Sequence, residues 1–197
     1  MKIINLGLIG LGTIGTGVVK VLRENFALIE KRLGVSLVIK RIADLDIKRD
    51  RGVPVDKSIL TTDAKKIIHD DEIDIVIELM GGYKPALSFI MQSISNKKHV
   101  VTANKALLAK HGKEVFEAIK KHKVNIGFEA SVGGGIPIIR CIKDNLAANR
   151  FESIYGVVNG TGNYILSKMT DEGKNFQDVL KEAQEKGYAE ADPTFDI

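Results

Sequence analysis

Residues 8–17, Leu8-Ile-Gly-Leu-Gly-Thr-Ile-Gly-Thr-Gly17, decide how the rest of the chain is read. They space Gly10, Gly12 and Gly15 as G-x-G-x-x-G, directly after an apolar run at residues 3–9 and at the opening of a helical pattern. In such a turn the first glycine permits the tight bend. The second leaves room for a pyrophosphate against the backbone, and the third lets helix lie close on strand. The free N–H groups of the first helical turn then face the phosphates. Gly10, Gly12, Thr13, Ile14 and Gly15 are therefore the candidate cofactor contacts. Glycine is abundant here, at 19 residues, so the strand–turn–helix setting carries the reading; the rival is a glycine turn that merely packs.

Outward from that turn, strand-like runs alternate with helical patterns. Strands are expected at residues 3–9, 37–43, 73–79, 99–102 and 124–128, and helices at 13–33, 62–69, 85–95 and 106–122. Repeated βα units predict an α/β fold, a Rossmann-type doubly wound parallel sheet with helices on both faces. The texture changes after Phe128. Glycines 133–135 make a turn, followed by a helix at 137–148, a strand at 151–158 and helices at 163–171 and 176–186. Gly187 then stands where a helix-ending C′ glycine belongs. The expected division is a nucleotide-binding domain over 1–130 and, over 131–197, an incomplete α+β second domain. One strand and three helices are too few to close a core alone, so the chain reads as a fragment.

Composition narrows the classes. The chain is 44% hydrophobic and 27% charged, as ordinary globular proteins are. Its apolar runs are strand-length and carry acids, so no membrane span is expected, and the start reads directly into a strand with no signal peptide. The net charge of +4 is dispersed, which argues against nucleic-acid binding. A single cysteine, Cys141, fits core filling in a reducing cytoplasm. The histidines at 69, 99, 111 and 122 show no metal-ligand spacing.

Five further places carry candidate chemistry. Asp44, at the end of the second strand, suits the ribose hydroxyls, while Lys40, Arg41, Lys48 and Arg49 could hold a 2′-phosphate, leaving NAD and NADP both open. Lys105 in "VVTANKALLA" (100–109) follows a strand's C-terminal end, the edge that faces the crevice, and suits an anionic or developing oxyanion group; a solvent-exposed loop lysine reads equally well. "LMGGYKP" (79–85) is the matching loop after the third strand. "FEASVGGGIP" (128–137) sets Glu129 beside a bent backbone able to turn carbonyls toward a hard cation, or to serve as a hinge. "GYAEADPTFDI" (187–197) crowds Glu190, Asp192 and Asp196 behind a helix.

The motifs "GLGTIGTG", "VVTANKALLA", "FEASVGGGIPII", "VVNGTGNYIL" and "GYAEADPTFDI" resemble, in order and approximate spacing, those of homoserine dehydrogenase. The resemblance spans the chain. It implies NAD(P)-dependent interconversion of L-homoserine and L-aspartate 4-semialdehyde, on the route to threonine and methionine, in a homodimeric enzyme. By resemblance Lys105 matches a lysine near nicotinamide and substrate, Gly187 a cofactor contact and Glu190 a substrate contact. Glu129, with the backbone of Val132, Gly134 and Ile136, matches a sodium site. Two departures accompany it. Gly162 stands where a hydroxyl residue is usual, and the family motif runs on past Ile197 to a lysine suited to general-acid work. The expectation is a piece that binds cofactor and scarcely turns over. The alternatives are a nucleotide-binding module without turnover, or another amino-acid-pathway dehydrogenase.

Overall fold

The computed structural model describes residues 1–156 and 159–189. The chain divides into two compact units, Met1–Ser131 and Val132–Ile197.

The first unit is built on a six-stranded sheet. Its strands are β1 (Lys2–Ile9), β2 (Val35–Ala43), β3 (Leu60–Thr61), β4 (Ile75–Glu78), β5 (His99–Thr102) and β6 (Ile126–Gly127). The order is β3-β2-β1-β4-β5-β6, and every pairing is parallel. Parallel strands need crossovers, and helices supply them. They are α1 (Thr13–Glu24), α2 (Phe26–Leu33), α3 (Lys65–Ile68), α4 (Ala86–Ser95) and α5 (Lys105–His122). Alternate residues of β1 face opposite layers. Leu6 and Leu8 join Val19 of α1, Ile42 and Ile77, while Ile9 joins Ala43, Val76 and Ile67 and Ile68 of α3. A third cluster packs Ile90 and Ile94 of α4 with Val100 and with Leu107 and Val115 of α5. Fully burying one such aliphatic side chain contributes about 1.5–3 kcal/mol. The strand order reverses between β1 and β4, and the crevice of an open α/β sheet lies at that reversal, outside the strands' C-terminal ends.

The opposite edge of the sheet is sealed by a lysine. Lys98, just before β5, is buried, and its Nζ donates to the carbonyls of Asp70 (2.6 Å) and Ile73 (2.9 Å). Burial pushes its ammonium below the usual lysine range, against the pull of Asp71, Asp70 and Asp74.

Several elements differ from their expected form. The long helix at 13–33 is two helices, divided at Asn25, whose backbone leaves the helical region (φ −108°, ψ 17°) and whose side chain shares the Val21 carbonyl, at 3.3 Å, with its own N–H. The helix expected at 62–69 begins only at Lys65, since Thr61 and Asp63 side chains take the Asp63 and Lys65 N–H groups in local turns. The two-residue β3 is too short to show alternation in sequence.

In the second unit the helices are α6 (Ile138–Arg140), α7 (Gly160–Glu172) and α8 (Phe176–Glu185). The helix expected at 137–148 is one α turn continuing as a π-helix over Cys141–Asn145; none of its residues is buried, so no packed face enforces the α register. The strand expected at 151–158 is absent over 151–156, and 157–158 lie outside the described residues. A strand needs a neighbour to pair with, and the described residues of this unit offer none. Helices α7 and α8 pack through Ile165, Val179 and Ala183. Around them, Glu182 accepts from Lys186 (2.6 Å), Tyr164 (2.6 Å) and Lys174 (3.1 Å), which holds its carboxyl down at about 2.

Candidate functional site

The three glycines of the turn meet different demands. Gly10 sits at φ +100°, and a Cβ there would lie 2.6 Å from the Leu79 carbonyl oxygen. At Gly15 a Cβ would fall 2.1 Å from the Gly10 carbonyl oxygen, so α1 lies directly on the turn. Packing explains both. Gly12 is different: its backbone is extended (φ −72°, ψ −160°), and a Cβ would meet nothing within 4 Å. Gly12 is also the N-cap of α1, and no side chain caps that helix. The N-terminus thus presents unshielded amides of Thr13, Ile14 and Gly15 beside open backbone, an arrangement suited to a diphosphate.

Asp44 follows β2 on one side of β1 and is tied to that turn. Its Oδ2 accepts the Leu11 N–H at 2.6 Å, while Oδ1 accepts Asp46 N–H (2.9 Å) and Arg51 Nη2 (2.9 Å). A carboxylate offers about four acceptor positions, so one remains on Oδ2, enough for a single hydroxyl. Arg51, mostly buried at 13% side-chain exposure, also donates to the Asp46 carbonyl, and its Nε is buried without a partner. Of the basic residues singled out in sequence, Lys40 is engaged elsewhere, with Asp70 and Glu72. Lys48 and Arg49 follow Asp46, whose carboxylate accepts both their backbone N–H groups. Arg51 escaped notice because it lies seven residues beyond Asp44, and only the Asp46 turn brings it back.

On the other side of β1, the loops after β4 and β5 are laced together. Glu78, the last residue of β4, is fully buried; its Oε1 accepts Met80 N–H (2.7 Å) and its Oε2 accepts the Thr102 hydroxyl (2.6 Å). Thr102 Oγ accepts Asn104 N–H at 3.0 Å. Asn104 caps α5 by accepting Leu107 N–H (3.1 Å), and its amide donates to the Gly82 carbonyl (2.6 Å). Burial pushes the Glu78 carboxyl up, while bonds from Thr102, Met80 and Asn104 pull it down. Lys105 follows immediately as the first residue of α5, exposed at the C-terminal edge of the sheet. In the glycine loop Tyr83 lies under Lys110, whose Nζ is 4.3 Å from the ring centroid; bonding to that ammonium lowers the phenol. Sequence reading left Glu78 and Asn104 unremarked, though an acid closing the apolar run "IDIVIE" was a visible signal.

The remaining candidates divide between the units. Glu129 opens a 3₁₀ turn, Glu129–Ser131, in the first. Val132, Gly134 and Ile136 belong to the second, where Gly133 and Gly134 take positive φ and the Ile136 carbonyl accepts Ile138 N–H at 2.8 Å. Among the described residues no group of three or more His, Cys, Asp or Glu side chains could hold a metal ion. Gly187 is the C′ residue of α8 at φ +74°. Its N–H reaches the Gln184 carbonyl and Tyr188 N–H the Ala183 carbonyl, the two bonds of a Schellman motif. Glu190, Asp192 and Asp196 lie outside the described residues. No helix among the described residues is long and apolar enough to cross a membrane.

Comparison with known proteins matches two family models: "Homoserine dehydrogenase, NAD binding domain" over residues 10–129, and "Homoserine dehydrogenase" over 137–197. A homoserine dehydrogenase of Synechocystis is 47% identical over 98% of this chain and 44% of its own length. The solved homoserine dehydrogenase of Thiobacillus denitrificans superposes with a TM-score of 0.91 at 51% identity, over 100% of this chain and 46% of that one. A hyperthermophilic archaeal homoserine dehydrogenase solved in complex with NADPH gives a TM-score of 0.81 at 26% identity, over 99% of this chain and 65% of that one. The chain spans less than half the length of the curated relatives it matches, 44–48%.

Proposed function

Because this chain belongs to the homoserine dehydrogenase family, we propose that it binds NAD(P) at the Gly10–Gly15 turn and serves the reversible interconversion of L-homoserine and L-aspartate 4-semialdehyde. The observation that carries the reading is Gly12, a glycine that neither strain nor packing requires, beside an uncapped helix. Residues 1–130 are the nucleotide-binding domain and 131–197 the first part of the substrate domain. The cofactor supplies hydride exchange with the alcohol carbon of homoserine when bound. Asp44 takes a ribose hydroxyl on its remaining acceptor position. Lys105 sets a positive charge at the crevice for the substrate oxygen, which carries negative charge as hydride arrives. Glu190 grips the substrate ammonium and Gly187 contacts the cofactor. Glu129 and the carbonyls of Val132, Gly134 and Ile136 supply hard oxygen donors for a sodium ion. The enzyme works in the cytoplasm, as a homodimer in its full length, in threonine and methionine biosynthesis.

Calorimetric titration with NADH and NADPH, beside homoserine-dependent reduction of NADP⁺ by the full-length protein, tests the proposal. Binding of either dinucleotide and homoserine-dependent reduction are expected. A protein that binds neither overturns the cofactor reading; one that binds and ignores homoserine overturns the substrate reading.

A further inference from the structure

The fully buried Glu78 is at odds with the apolar strand it closes. Isolating a carboxylate from water is costly, and a hydrophobic residue would suit the neighbours Val76 and Ile77. Its bonds indicate what it does there. Glu78 holds Met80 N–H in the loop after β4 and the Thr102 hydroxyl at the end of β5. Thr102 in turn holds Asn104 N–H, and Asn104 holds both the Gly82 carbonyl and the first turn of α5. One chain of hydrogen bonds thereby fixes two crossover loops at the C-terminal edge, next to Lys105.

The strand order tells which half of a dinucleotide these loops meet. Asp44, the ribose candidate, follows β2 on one side of β1; β4 and β5 lie on the other. With the diphosphate at the β1 turn, the adenosine half extends toward β2 and the nicotinamide half toward the loops after β4 and β5. We propose that Glu78 is a positioning residue that, through Thr102 and Asn104, sets these loops to receive the nicotinamide half of the cofactor and to present Lys105. The inference rests on the dinucleotide reading above.

Both Glu78 oxygens accept, so an amide in place of the carboxylate removes the charge and keeps one acceptor: its NH2 either opposes Met80 N–H or reverses the bond to Thr102 and turns that hydroxyl's hydrogen away. The test uses NADPH and its truncated analogue 2′-phospho-ADP-ribose, which lacks nicotinamide, titrated calorimetrically. Glu78→Gln is expected to weaken NADPH roughly 10- to 100-fold, the loss of one charge-assisted buried bond, while leaving the analogue within about twofold. Thr102→Val should reproduce that split, and Thr102→Ser, which keeps the hydroxyl, should restore NADPH affinity; this pair also decides the matter if Glu78→Gln does not fold. Equal loss of both ligands, or loss of neither, overturns the proposal while leaving the dinucleotide reading intact. A wild-type protein that binds neither ligand overturns the reading and the proposal together.

Discussion

Substituting two glycines of one turn should separate folding from binding. In Gly15→Ala the new methyl would lie 2.1 Å from a backbone carbonyl oxygen, so helix and turn must part by roughly 1 Å in a close-packed interior. Such overpacking costs about 1–3 kcal/mol, and a chain of this size loses ~2–4 °C in Tm per kcal/mol. Melting should fall by roughly 2–12 °C. Gly12→Val meets no neighbour within 4 Å and needs no unusual backbone; replacing glycine at an N-cap costs about 1 kcal/mol or less. Its branched side chain instead occupies the phosphate's approach. Hydrogen bonds to a charged group contribute about 1.5–3 kcal/mol each. Losing about 3 kcal/mol raises Kd on the order of 100-fold. Thermal melting and NADPH calorimetry on both variants form the assay. Wild-type affinity in Gly12→Val, or melting as low as that of Gly15→Ala, would refute this division of labour.

Further outcomes are expected elsewhere. Asp44→Ala should weaken NADH roughly 10-fold while weakening NADPH less, because Arg51 is released toward a 2′-phosphate; an unchanged NADH/NADPH affinity ratio rules Asp44 out as the ribose reader. Burial raises the Glu78 carboxyl above its unfolded value, so the folded chain holds that proton more tightly. Its contribution to stability is fullest in acid and declines as pH rises from the unfolded carboxyl value through the raised one. Urea unfolding of wild type minus Glu78→Gln should show that slope, and a difference flat across acid pH contradicts it. Gly187→Ala places a side chain at φ +74° with nothing within 4 Å, so it should cost about 1 kcal/mol from backbone strain alone; no change in urea midpoint would show that the α8 terminus relaxes freely.

The sheet was legible because burial on both faces writes itself into the sequence. Runs such as the one ending at Ile9 are predominantly apolar, and the intervening helices carry a clear apolar stripe. Boundaries failed where side chains compete with the backbone, as Asn25 and Asp63 do, since that competition depends on local geometry that periodicity does not record. The expected strand at 151–158 failed differently: alternation marks a surface fit for pairing, but a ladder also needs a second strand. In the candidate site, glycine spacing and strand ends pointed to the turn, Asp44 and Lys105. Arg51, Glu78 and Asn104 act through contacts made only after the loops close, so their identity as ordinary loop or strand residues concealed them.

Strand β5 is only four residues long, yet it has a lysine just outside each end. Lys98, before it, is walled off with its ammonium hydrogens on two carbonyls; Lys105, after it, opens a helix at the exposed edge. The same functional group is thus held in two chemical environments at the two ends of one strand. An amine-directed acylating reagent would discriminate between them: it should mark the leaving end of the strand while the chain stays folded, and reach the entering end only when the sheet itself opens.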